Sequence, residues 1–390
     1  MLRDAAGAIG RPTGAQRRVG PFMLAALAAL LVGLWAGLAR IGWDLPEAGS
    51  DLMLRHGGLM VVGFVATLIA VERAVAVQSV VAFTAPALSA AAGVALIVDA
   101  PDQAAPALAS ASGVAYVLNI AVLLQRFRQP ALAVSLAGGV CLLVAGVVWW
   151  DGGGLQTVVP WWMAFLVLTI VAERLELIKF QRFTPFALLT GIGLLAAVMV
   201  ALVLTLFEVD DGVRLMGVAF LLGPFWLVRR DIAHRTIRTE GIARFSAAGV
   251  LTAYAWLVVT GAMLLAWGIE PGLRYDAVVH ACFIGFVFTA IIAHEPIIVP
   301  AVTGLRFTYT PALYLPLLLL NGGLVARVAA DLAEDNEVRR WAGMVQAIAI
   351  LLFLAISAAS LFAGSLRRSS LSRPRTGSSA QKLHREGAPR

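Results

Sequence analysis

Near the C-terminal third of the chain, the run HACFIGFVFTAIIAHEPIIVP (280–300) carries two histidines and a glutamate among apolar residues. An ionisable side chain in such a run is costly without a partner, which makes His280, His294 and Glu295 candidates for chemistry. A further histidine, His56 in RHGGLMVVGF (55–64), opens another apolar run. His56 lies 16 residues before Glu72 and His280 lies 15 before Glu295, so the two imidazoles share one depth if the two runs are parallel helices. Two neutral imidazoles facing each other across a bundle are what a six-coordinate haem iron needs. Gly57, Gly58, Gly63 and Gly285 would let a flat macrocycle approach the backbone. Arg40, Arg55 and Arg327, near helix ends on the same side, would pair with its propionates. The plainer reading of the same positions makes His56 an interfacial helix-start residue and His280 a hydrogen-bonded packing residue.

His294 and Glu295 belong to another depth, about 21 Å further along an ideal helix, a distance that one small cofactor does not bridge. Pro296 and Pro300 remove backbone donors beside them and disturb the helix. With Glu72 and Glu173 at matching helix ends, the expectation is a polar cluster of Glu72, Glu173, His294 and Glu295. It would take up protons or bind a cation, His294 and Glu295 supplying metal donors, unless Arg73, Arg174 or Arg306 pairs with it and makes it a structural ion-pair ring. Sixteen ideal-helix residues set His56 and Glu72 about 160° apart in azimuth, so both face one interior only if the helix bends or buries two sides.

Positioning these groups is the task of a chain that is 60% hydrophobic and 14% charged over 390 residues, with mean hydropathy +0.86. Such composition belongs to an integral membrane protein. Twelve stretches suit apolar spans of roughly 20 residues. They run near 21–42, 56–77, 79–98, 104–125, 130–150, 157–173, 183–207, 212–228, 245–268, 276–295, 309–330 and 338–366. The expected fold is an all-α, polytopic bundle between a basic N-tail (1–20) and a disordered C-tail (367–390). The first span is too long for a signal peptide and lacks a cleavage site.

The N-tail, the even-numbered connections and the C-tail hold 23 of 30 basic residues, against 7 on the other side. That asymmetry places both termini in the cytoplasm. It also accounts, with anionic lipid, for the net charge of +7, so no nucleic-acid partner is implied. Arg126, Arg128, Glu176 and Lys179 read as loop charges, and His234 and His384 as solvated residues. The pairs Trp149–Trp150 and Trp161–Trp162 read as an aromatic belt flanking the connection of spans 5 and 6. Cys141 and Cys282 fall inside spans, where a thiol packs as a small hydrophobe. Gly7, Gly10 and Gly14 lack the Lys-Ser/Thr ending of a phosphate loop.

An internal repeat organises the spans. LIAVERAV (68–75), TIVAERLE (169–176) and AIIAHEPI (290–297) end spans 2, 6 and 10, and AFTAPAL (82–88), RFTPFAL (182–188) and RFTYTPAL (306–313) open spans 3, 7 and 11. Phe83, Phe183 and Phe307 follow the three glutamates by 11, 10 and 12 residues. The spacing predicts three units of four helices, about 21–127, 128–243 and 244–366. A period of four argues against transporters built as two halves of six.

HGGLMVVGF and HACFIGFVFTAII, set in twelve spans, resemble the corresponding segments of the NnrS family, bacterial inner-membrane proteins with haem and copper in the response to nitric oxide. That family is in turn similar to the catalytic subunit of haem–copper oxidases. The resemblance implies haem as cofactor, His56 and His280 as its ligand candidates, and nitric oxide or a redox protein as partner. The family's helix-2 word carries a second histidine and a glutamate where this chain has Gly58 and Leu59. No histidine stands on span 6, so copper lacks the donors found in the oxidases. The competing classes are a proton-coupled small-molecule transporter without cofactor and a structural or assembly subunit of the membrane.

Overall fold

The computed structural model describes residues 13–46, 50–178 and 184–371, and every regular element in them is helical. Most of the N-tail, Lys179, Phe183, His384 and the C-tail from 372 lie outside the described residues. In chain order the helices are α1 (Gly20–Arg40), α2 (Asp51–Val77), α3 (Val81–Ile97), α4 (Ala104–Phe127), α5 (Pro130–Trp150) and α6 (Leu155–Leu177). After these come α7 (Pro185–Leu204), α8 (Val209–Val228), α9 (Gly241–Trp267), α10 (Leu273–Thr303), α11 (Pro311–Ala333) and α12 (Asn336–Leu371). Eleven are long and apolar enough to cross a membrane, and α3 is a shorter apolar helix.

The apolar runs become helices because a helix satisfies every backbone group within its own segment. Punctuation follows local chemistry. Proline opens α5 and α7 at their first turn, where its missing N–H costs nothing. Gly304, at φ 71°, closes α10 in the left-handed conformation. The expected end of that helix near 295 is corrected to Thr303. Pro296 and Pro300 lie inside it, each deleting a donor without ending the helix.

The most enclosed helix is α6, in which Val158 through Ile170 are all buried. An apolar helix with no polar face packs at the centre of its bundle. It contacts the wall formed by α5 and the middle of α10. At the other extreme, α7 turns Phe186, Leu189 and Ile192 outward. Helices α2 and α3 cross through glycine, since a Cβ on Gly63 would come within 2.9 Å of the Gly93 Cα.

Two helices depart from α geometry. Leu59–Ala66 in α2 and Ala281–Phe288 in α10 are wound as π-helix. Both stretches sit on one word, GFVAT (63–67) and GFVFT (285–289), whose threonines are fully buried. The Thr67 and Thr289 hydroxyls reach the carbonyls five residues back, Val62 at 3.4 Å and Ile284 at 3.3 Å. Each residue absorbed by a wide turn winds the azimuth back by about 100°. That unwinding brings His56 and Glu72 toward the same interior without a proline kink.

Candidate functional site

The outer arc of the site is built by α1, α2 and α10. His56, three residues before the π-helical stretch of α2, donates from Nδ1 to the Gly33 carbonyl of α1 at 2.7 Å. Room for its ring exists because position 37 is glycine, where a Cβ would sit 2.7 Å from His56 Cε1. His280, last residue before the π-helical stretch of α10, donates from Nδ1 to the Asp276 carbonyl at 2.8 Å. The two imidazoles face each other with ring centres 6.5 Å apart and planes 22° from parallel. With both Nδ1 atoms committed, both Nε2 atoms are left with their lone pairs, and no protein atom among the described residues bonds them.

Behind His280 stands a charge network. The Asp276 carboxylate lies 3.4 Å from His280 Nδ1 and accepts two hydrogen bonds from Arg327, at 2.8 and 3.1 Å. Arg339 approaches the same carboxylate at 3.4 Å, and Gln346 accepts from Arg327 at 3.2 Å. Such a carboxylate and arginine shell fixes the orientation and tautomer of an imidazole.

Both histidines line a cavity of about 140 Å³, together with Gly57, Met60, Trp162, Phe283, Arg40 and Arg327. Of the four glycines expected to admit a macrocycle, three serve helix packing instead. A Cβ on Gly58 would strike Leu96, one on Gly63 would strike Gly93, and one on Gly285 would strike Trp256 at 2.5 Å. Gly57 keeps open space, its nearest neighbour being Trp162 at 3.6 Å from such a Cβ. Arg55 does not line the cavity, because it pairs with Asp99 and donates to the Leu96 carbonyl. The belt reading of Trp161 and Trp162 is also corrected. At 3% and 1% exposure both are core residues of the central helix, whereas Trp150, at 48%, faces outward as expected.

The donor set decides what such a site would hold. Among the described residues no group of three or more His, Cys, Asp or Glu is placed to hold a bare ion. Two opposed imidazoles instead suit a metal that arrives with its own equatorial donors. Two metal–nitrogen bonds of about 2 Å, with the distance from each Nε2 to its ring centre, span roughly 6 Å. The ring centres lie 6.5 Å apart, a separation of that order, in rings 22° from parallel.

Further along α2, α6 and α10 lies a second cavity, of about 120 Å³, lined by Glu72, Glu173, His294 and Glu295 among aliphatic side chains. The four residues expected to cluster therefore share one chamber, although their partners divide them. Arg73, 4% exposed, lies 3.7 Å from Glu72, 3.5 Å from Glu173 and 3.0 Å from Glu176. Glu176 thus belongs to the network rather than to a loop. Arg174 donates to His294 Nε2 at 2.8 Å and to Asp231 at 2.7 Å, and the Tyr254 hydroxyl donates to Asp231 at 2.6 Å. His294 Nδ1 donates to the Ala290 carbonyl at 2.7 Å, so both ring nitrogens are committed. The metal-ligand reading of His294 is corrected on that ground. Glu295 has no arginine partner among the described residues, and its Oε2 is buried without a hydrogen bond.

Asp231 sits in the loop after α8. Burial pushes its carboxyl up, and the Arg174 guanidinium, the Tyr254 hydroxyl and the Ala233 N–H outweigh that and hold it below the usual carboxylate range. Asp231 and Asp276 were not legible as site residues, since each looks like an ordinary polar residue near a helix end, and Tyr254 looks like an ordinary aromatic inside an apolar helix. The word GFV-x-T recurs at both π-helical stretches, although by itself it does not predict the wide winding.

These features define a class, an all-helical protein whose helices are long and apolar enough for a membrane and which encloses two cavities along one pair of helices. The chain belongs to a family of unknown function, DUF8744, whose model matches residues 18–362. No curated protein matches it.

Proposed function

We propose that the protein is a polytopic membrane protein of twelve spans that holds haem between His56 and His280, in the manner of NnrS-like proteins, and serves nitric oxide defence or respiratory redox balance. One observation carries the reading: two imidazoles stand 6.5 Å apart across a cavity, each with Nδ1 bound to a backbone carbonyl. Haem bound there supplies one-electron chemistry or a site for a diatomic ligand. The protein's part is to orient both Nε2 atoms, to hold His280 through Asp276 and Arg327, and to offer Arg40 and Arg327 to acidic groups. Among the described residues no group of three or more His, Cys, Asp or Glu stands ready for copper. Three units of four helices, with both termini on the cytoplasmic side of a bacterial inner membrane, remain the topology that best accounts for the repeated words and the basic residues.

A cofactor-free, proton-coupled transporter is the second reading, favoured by the chamber in which Glu72, Glu173 and Glu295 meet. The reduced-minus-oxidised visible spectrum of the detergent-purified protein separates the two. The haem reading expects a low-spin signal that is lost or becomes high-spin in His56→Ala and in His280→Ala. A colourless protein from haem-replete cells would overturn it and leave proton-coupled transport.

A further inference from the structure

The two cavities have two lining residues in common, Val65 and Val287. These valines hold the same place in the two GFV-x-T words, and both lie within the π-helical stretches. Beside them the Phe64 and Phe288 rings stack, with centres 5.6 Å apart and planes 28° from parallel. The two cavities therefore meet at a thin apolar layer to which α2 and α10 contribute at equivalent points, with Leu166 and Ile170 of α6 on either side of it.

The segments that carry this layer are built to change register. A π-helical stretch holds more residues per turn than an α-helix, and its relaxation to α geometry rotates the side chains on one side of it relative to those on the other. The Thr67 and Thr289 hydroxyls support the wide form by reaching the carbonyls five residues back. Asn321 of α11 lies 3.2 Å from the Thr289 hydroxyl and gives it a second available partner. A narrow apolar constriction excludes water while closed and conducts it once widened or made polar.

We infer that Val65 and Val287 are the two halves of a hydrophobic gate, moved by the paired π-helical stretches, that admits water and with it protons between the Glu72, Glu173 and Glu295 chamber and the His56 and His280 chamber. The inference goes beyond the cofactor reading and does not depend on it, because the valines separate the two chambers whatever the histidines hold.

The test is proton flux into liposomes containing the full chain, followed with an internal pH dye under a potassium–valinomycin clamp. Threonine has nearly the shape of valine, so Val65→Thr with Val287→Thr keeps the packing while wetting the constriction. The double variant is expected to raise flux on the order of tenfold over the wild type. Adding Glu295→Gln is expected to bring it back toward the wild-type value, since the carboxylate chamber then loses the one of its three glutamates that has no arginine partner among the described residues. Flux equal to the wild type in a double variant with unchanged helicity and elution volume would overturn the gate. So would a rise that also occurs when threonine replaces Val200, an exposed valine of α7 remote from both cavities. The haem spectrum of the same preparations is a separate readout, so the loss of either reading leaves the other standing.

Discussion

At the residue scale, the buried pair Arg174 and Asp231 is the most consequential single interaction. Both side chains are at most 5% exposed, and removing one partner leaves an uncompensated charge in the bundle. Asp231→Ala is expected to cost about 3–5 kcal/mol, read as a lowered unfolding midpoint in detergent. Because the folded Asp231 carboxyl lies below its unfolded value, its contribution is complete above the unfolded carboxylate range. It is lost as pH falls through the folded value, so acidification below about pH 4 should destabilise the wild type. Asp231→Asn should flatten that acid limb, which thermal melts across a pH series would show. On the opposite side of the molecule, Gly37→Ala places a methyl against the His56 ring. The expected result is a displaced imidazole with little change in helicity and, on the haem reading, an altered visible spectrum.

At the element scale, the paired π-helical stretches and the glycine crossing carry the geometry. Thr67→Val keeps the shape of the side chain and removes the hydroxyl that reaches the Val62 carbonyl. It is expected to cost about 1 kcal/mol and to increase amide exchange over residues 59–67, while Thr67→Ser should leave exchange near the wild-type level. Gly93→Leu forces α2 and α3 apart, because any side chain there meets the Gly63 backbone. Overpacking of this kind is expected to lower stability by about 1–3 kcal/mol in a detergent melt. Much of the element layer was readable beforehand: the apolar runs mark helices that the structure places within a few residues of expectation, except α10, which runs on to Thr303. The π-helical winding was not, because hydropathy reports that a segment is apolar and says nothing of residues per turn.

At the scale of the whole molecule, the chain is a bundle around α6 with a chamber toward each end of α2 and α10. The excess of arginine and lysine on one side predicts that reporter fusions at the N- and C-termini give the same compartment signal. Opposite signals from the two fusions would remove one span from the topology, with α3 the first candidate because it is the shortest. Equivalent depth for His56 and His280 followed from counting residues, and so did the grouping of Glu72, Glu173 and Glu295. Which glycines pack helices and which face open space did not follow, since that depends on the neighbour across each interface.

By itself the sequence determined the all-helical character, the approximate apolar helices and the position of the main ionisable groups along them. Those depend on runs of apolar side chains and on a fixed rise per residue, both local properties. Only the tertiary structure decided direction and partnership. It turned His56 toward His280, drew Arg174 to Asp231 and His294, and buried Trp162 beside the histidines. It also set Val65 and Val287 between the two chambers. Those outcomes depend on azimuth and on contacts between residues up to 224 positions apart, as His56 and His280 are, and no local pattern encodes them.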